Sequence, residues 1–75
     1  MSSENKSGLF ILRLKQVIER TGLSRSTIYR KADPKSKQYD PSFPKRVHLG
    51  GLAVGWVESE INHWLEERAN SSRAA

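Results

Sequence analysis

Arg25, Arg30 and Lys31 fall close together, interleaved with Ser24, Ser26, Thr27 and Tyr29, whose hydroxyls can donate and accept hydrogen bonds. A second basic group, Lys45, Arg46 and His48, follows downstream. Guanidinium and ammonium groups neutralise phosphate oxygens, and one arginine can bridge O6 and N7 of a guanine with two hydrogen bonds. The chemistry within reach is therefore recognition of a polyanion, with duplex DNA first among them. The plainer alternative is a solvated helix face for Arg25, Arg30 and Lys31, with Tyr29 packed beside Ile28.

Other chemistries lack their residues. The absence of cysteine excludes disulfide frameworks, thiolate zinc sites, iron–sulfur clusters and cysteine nucleophiles. His48 and His63 stand on different segments with no carboxylate cluster beside them, so no metal site is expected. Glu66 and Glu67 are neighbours and splay to different helix faces, which rules them out as an acid–base pair. Ser24, Ser26 and Ser59 have no identifiable His–Asp partner, and there is neither a phosphate loop nor a dinucleotide fingerprint. The sequence reads as a binding protein, not an enzyme, with no cofactor.

The size and the charge map agree with that reading. Seventy-five residues (8.5 kDa) make one small domain. The formal charge is +5 and the pI about 10.0. Residues 20–46 carry Arg20, Arg25, Arg30, Lys31, Lys35, Lys37, Lys45 and Arg46 against only Asp33 and Asp40, whereas residues 58–68 carry Glu58, Glu60, Glu66 and Glu67 against Arg68. Such a split favours a polyanionic partner approached by one face. The longest apolar run, residues 9–12, is too short to span a bilayer, and no secretory signal opens the chain. A cytoplasmic, nucleoid-associated protein with no membrane partner is expected.

The elements that must hold these residues follow from local pattern. Residues 1–9 are expected to form a disordered lead, 10–68 the folded domain and 69–75 a flexible tail. Residues 9–14 suggest a short strand-like segment, and 15–20 a helix stopped by Thr21-Gly22, since glycine accepts the left-handed conformation that closes helices. Ser24 is a good N-cap for a second helix over 25–31, with Leu23 and Ile28 facing the core. Asp33-Pro34 and Asp40-Pro41 mark a loop over 32–42. Residues 45–49 and 52–56 alternate around Gly50-Gly51, the signature of a β-hairpin. Val47 and Leu49 share one face of its first strand, Arg46 and His48 the other; Leu52, Val54 and Trp56 share one face of its second. A final helix over 57–68 carries Ile61, Trp64, Leu65 and Arg68 as one stripe. Trp56 and Trp64 are better suited to the core than to a base-stacking platform.

Two short helices joined by Thr-Gly-Leu-Ser form a helix-turn-helix, and the basic hairpin after them reads as a wing. The expected fold class is α+β, a small winged helix-turn-helix. Leu12-Arg13-Leu14-Lys15-Gln16-Val17, residues 21–30, Phe43-Pro44-Lys45-Arg46-Val47, Ala53-Val54-Gly55-Trp56 and residues 58–65, in this order, resemble the AlpA family of prophage regulatory proteins. The resemblance covers about residues 10–66 and implies a reading head of the kind shared with excisionases and MerR-type regulators. By that resemblance Ser24, Arg25, Ser26, Thr27, Tyr29 and Arg30 occupy recognition-helix positions, and Lys45, Arg46 and His48 the first wing strand. Two departures stand out: Leu52 where the family's wing often has arginine, and a long 32–42 loop bearing Lys35 and Lys37.

The function so implied is sequence-specific binding of double-stranded DNA by a transcriptional regulator of prophage or integrated-element genes. One alternative is an excisionase-type recombination directionality factor acting with an integrase. Another is a protein-interaction module without DNA affinity of its own, docking through the acidic last helix. Integrase, RNA polymerase and further copies of the chain on DNA are the protein partners these readings name.

Overall fold

The structure is a computed structural model and describes residues 9–74. The expected disordered lead therefore lies outside the described residues, apart from Leu9. The elements run β1 (Ile11–Leu12), α1 (Leu14–Thr21), α2 (Arg25–Ala32), β2 (Val47–Gly50), β3 (Ala53–Val57) and α3 (Glu58–Ala74). The three strands form an antiparallel sheet in the order β1-β3-β2. This is the expected α+β winged helix-turn-helix.

Each helix boundary has a local cause. The Arg13 backbone N–H, at the start of α1, donates to Gln16 Oε1 at 2.9 Å. Gly22 closes α1 with φ +75°, and its N–H donates to the Ile18 carbonyl at 2.8 Å. α3 runs to Ala74, beyond the Arg68 end expected from the apolar stripe. No glycine or proline interrupts residues 58–74, so nothing in the backbone stops the helix where the stripe ends.

The hairpin differs from expectation by one residue. Gly50 pairs with Ala53, so the two turn residues are Gly51 and Leu52 instead of Gly50 and Gly51. Gly51, with φ +55°, takes the first central position, as in a II′-type turn. Leu52 consequently leaves the strand face shared by Val54 and Trp56 and sits fully exposed at the apex. A bulge between His48 and Gly50 makes Leu49 the extra residue. The alternation expected across 45–49 therefore ends at His48, and Leu49 stays exposed.

The core gathers Leu12, Val17, Ile28, Phe43, Trp56, Ile61 and Trp64, with Leu14, Ile18, Leu23, Val54 and Leu65 packed around it. Phe43 meets Trp64 edge-on at 5.0 Å between ring centres. Both tryptophans are core residues, as their positions suggested. Gly55 lets β1 approach β3: a Cβ there would overlap the Ile11 side chain and lie 3.0 Å from the Leu12 carbonyl oxygen.

Residues 33–43 form a string of hydrogen-bonded turns. Asp33 and Asp40, each followed by proline, repeat one device: a carboxylate oxygen accepts the N–H two residues on, from Lys35 and from Ser42, both at 2.9 Å. Asp40 also ties elements together. It accepts the Ser42 hydroxyl at 2.6 Å, faces Lys31 Nζ at 3.9 Å and Arg68 at 3.8 Å, and donates its N–H to the Lys31 carbonyl at 3.0 Å. The Ser42 hydroxyl, opposed by burial and aided by the Ser42 N–H, the Trp64 indole and the Lys31 charge, holds the Asp40 carboxyl below its ordinary pKa. The Trp64 indole N–H closes no hydrogen bond of ordinary geometry, so its part is electrostatic.

Two expectations follow. Gly55→Ala should destabilise the fold by about 1–3 kcal/mol, because the added methyl presses on the β1 backbone. A thermal melt checks this, with a Tm drop of at least about 4 °C for a chain this short. For Asp40 the folded pKa is depressed, so its contribution is complete above the unfolded value and is lost as pH falls through the folded one. Urea midpoints of Asp40→Asn should lie below wild type at pH 7, and the gap should close only as the pH falls from about 4 through the lowered folded value.

Candidate nucleic-acid interface

The turn between α1 and α2 is built by side chains as well as by Gly22. The Thr21 hydroxyl donates to the Val17 carbonyl at 2.8 Å and accepts the Leu23 N–H at 3.1 Å. That pair fixes the direction in which the chain leaves α1. Ser24 then caps α2: its Oγ accepts the Thr27 N–H at 3.2 Å and also bonds the Thr27 hydroxyl at 2.9 Å.

α2 buries a thin edge. Ile28 is fully buried, and Leu23 and Ala32 pack partly against the core. Arg25, Ser26, Tyr29 and Arg30 are exposed. Their spacings of three and four residues place them side by side as one patch. Thr27 is half-buried at its margin. Lys31 is not part of the patch: its ammonium faces Asp40 and lies 5.7 Å over the Trp64 ring. Its nearest company is therefore the core side of the molecule.

The wing base joins the patch. The Arg46 guanidinium lies over the Tyr29 ring at 5.9 Å, a cation–π contact between hairpin and helix. Lys45 and His48 are exposed on the same stretch. Arg13 steadies the hairpin from the other side, its Nε donating to the Val54 carbonyl at 3.0 Å.

Glu58 and Glu67 are paired away from the patch. Glu58 binds Arg20 at 2.8 Å, and the same guanidinium reaches Asn62 at 3.2 Å, fastening α1 to α3. Glu67 faces His63 at 3.8 Å. Among the described residues, none of Arg25, Arg30, Lys45 or Arg46 is ion-paired with a carboxylate. Also among the described residues, no helix is long and apolar enough to cross a membrane.

The structure thus brings Arg25, Ser26, Tyr29, Arg30 and Arg46 together, with Ser24, Thr27, Lys45 and His48 at the edges and Lys31 turned away. Sequence reasoning missed Thr21, Arg13 and Asp40 as the groups that aim the patch. For Asp40 the repeated Asp-Pro was the available signal; Arg13 and its Val54 partner lie 41 residues apart, and no local pattern connects them.

The sequence that builds this geometry has known relatives. The sequence profile of the family described as prophage CP4-57 regulatory protein (AlpA) matches residues 10–69. An Escherichia coli (strain K12) protein named DNA-binding transcriptional activator AlpA is 52% identical over 64 residues, 85% of this chain and 91% of that protein. Uncharacterized protein ORF88 of Enterobacteria phage P4 is 42% identical over 60 residues, 76% of this chain and 58% of that protein. No solved structure matches this chain. Both helices of the helix-turn-helix, the hairpin and most of α3 lie inside the matched span, and the chain belongs to the AlpA family of prophage regulatory proteins.

Proposed function

We propose that this chain binds double-stranded DNA at chosen sequences and regulates transcription of prophage or integrated-element genes. One observation carries the reading: α2 holds Arg25, Ser26, Tyr29 and Arg30 in a single exposed patch, Arg46 stacks beside it, and no carboxylate of the described residues neutralises those cations. The name of the Escherichia coli relative, a DNA-binding transcriptional activator, supports it.

In this reading α2 enters the major groove. Arg25, in the first turn, reaches base edges, and guanine is its best partner because two parallel hydrogen bonds fit O6 and N7. Tyr29, Arg30, Lys45, Arg46 and His48 contact phosphates and groove edges and supply affinity. Lys31 supports α2 through Asp40 and Trp64 rather than touching DNA. One module covers few base pairs, so useful occupancy takes several copies on adjacent sites, or a partner such as an integrase or RNA polymerase. The chain works on the nucleoid, in the cytoplasm, without catalysis of its own.

Selection of bound duplexes from genomic fragments supplies the operator on which this is tested. Arg25→Ala should weaken operator binding by about 1–3 kcal/mol and relax sequence choice at one position. Arg46→Ala should weaken all duplexes nearly alike and lower the slope of log affinity against log salt by about 1. Unchanged affinity and selectivity in Arg25→Ala would remove it from base reading. Affinity of the wild type that does not respond to salt would overturn the function.

A further inference from the structure

We propose that the cleft between the 33–43 turns and β2 is an effector site for a small aromatic carboxylate, and that filling it releases the protein from DNA. The release, though not the binding, rests on the duplex-binding function proposed above.

A cavity of about 250 Å³ lies in that cleft. One side is apolar and aromatic: Pro34, the half-buried Tyr39, and Phe43, which is only 3% exposed and so forms the deep end. The other side is basic: Lys45, Arg46 and His48. All three are exposed, and among the described residues none is ion-paired. The carboxylates next to the lining residues in sequence are already engaged. Asp33 accepts the Lys35 N–H at 2.9 Å, and Asp40 faces Lys31 and Arg68. The described residues therefore give the cleft positive charge without a counter-ion.

The two sides together choose the ligand. The basic side calls for an anion, and a guanidinium favours a planar carboxylate, which it can hold with two parallel hydrogen bonds. The apolar side calls for a hydrophobic body. A bare inorganic ion leaves Tyr39 and Phe43 uncovered, whereas a flat ring packs on them and removes water from both surfaces. Size sets the limit. A cavity of about 150 Å³ already admits benzene, and drug-sized ligands take about 300–1,000 Å³. The cleft therefore holds one ring with its acid group. A stretch of sugar–phosphate backbone is too bulky to seat there.

Coupling to DNA runs through Arg46. Its guanidinium lines the cleft and also lies over the Tyr29 ring, at 5.9 Å, on the edge of the α2 patch. A carboxylate in the cleft cancels the Arg46 charge, with Lys45 and His48 beside it, and so removes the attraction these groups offer to phosphate. Ligand and duplex compete for the same basic side chains.

The test uses the full chain, with benzoate as the probe. Acetate and benzyl alcohol are controls that keep only the charge or only the ring. In amide proton–nitrogen spectra without DNA, benzoate should give saturable shifts centred on Tyr39 and residues 45–48, and neither control should do so at the same concentration. An operator selected from a random-sequence library is then titrated. Benzoate at about ten times its Kd should raise the operator Kd about tenfold over the value in equimolar acetate, which matches the ionic strength. Diphenylacetate, with a second ring that the cavity cannot hold, should act no more than acetate. Tyr39 has no part in the DNA contacts proposed above, so Tyr39→Ala should bind the operator as wild type does in acetate, yet lose the benzoate shifts and the benzoate response. Benzoate acting no more than acetate, both aromatic acids acting alike, or an undiminished response in Tyr39→Ala overturns the inference and leaves the function standing. So does benzoate that shifts the cleft without changing operator affinity. Failure of the wild type to bind any duplex overturns the function and the release with it, and the spectra alone then decide the site.

Discussion

A helix of eight residues with one fully buried side chain cannot hold itself in place. Isolated helices of that length are marginal in water, and Ile28 alone anchors α2 deeply in the core. Everything that this protein can present to a partner depends on clamping α2 at its two ends. At the front, Thr21, Gly22 and Ser24 set the turn through bonds to Val17, Ile18, Leu23 and Thr27. At the back, Asp40 grips the Lys31 carbonyl and ammonium while also facing Arg68 of α3. The long loop, which from its composition looks like mere connection, is the rear clamp.

Much of this was legible because the determinants are local. Gly22 and Ser24 mark the turn by residue type alone, and the apolar stripe of Ile61, Trp64 and Leu65 marks the last helix. Where the reading slipped, the cause lay in competition or in space. Two glycines in a row leave the hairpin two registers to choose from, and the bulge at Leu49 decides between them. A stripe shows where a helix is buried, not where it ends, so it marks α3 only as far as Arg68. Lys31 has cations as its sequence neighbours, while the groups its ammonium faces, Asp40 and Trp64, are distant along the chain. The Arg46–Tyr29 contact likewise has no one-dimensional signature.

The charge map is better described as a partition than as an excess. Arg20 and Arg68 are spent on Glu58 and Asp40 within the fold. Arg25, Arg30, Lys45 and Arg46 are left without such partners among the described residues. Any anion that binds only the folded state stabilises it by mass action.

The stack of Arg46 on Tyr29 carries a further consequence. It sets the base of the hairpin beside the flank of the helix before any ligand arrives, at a worth of about 0.5–1 kcal/mol for an exposed site. A contact of that size tilts the angle between ribbon and helix without locking it, so a target that fits the favoured angle is met with less reordering.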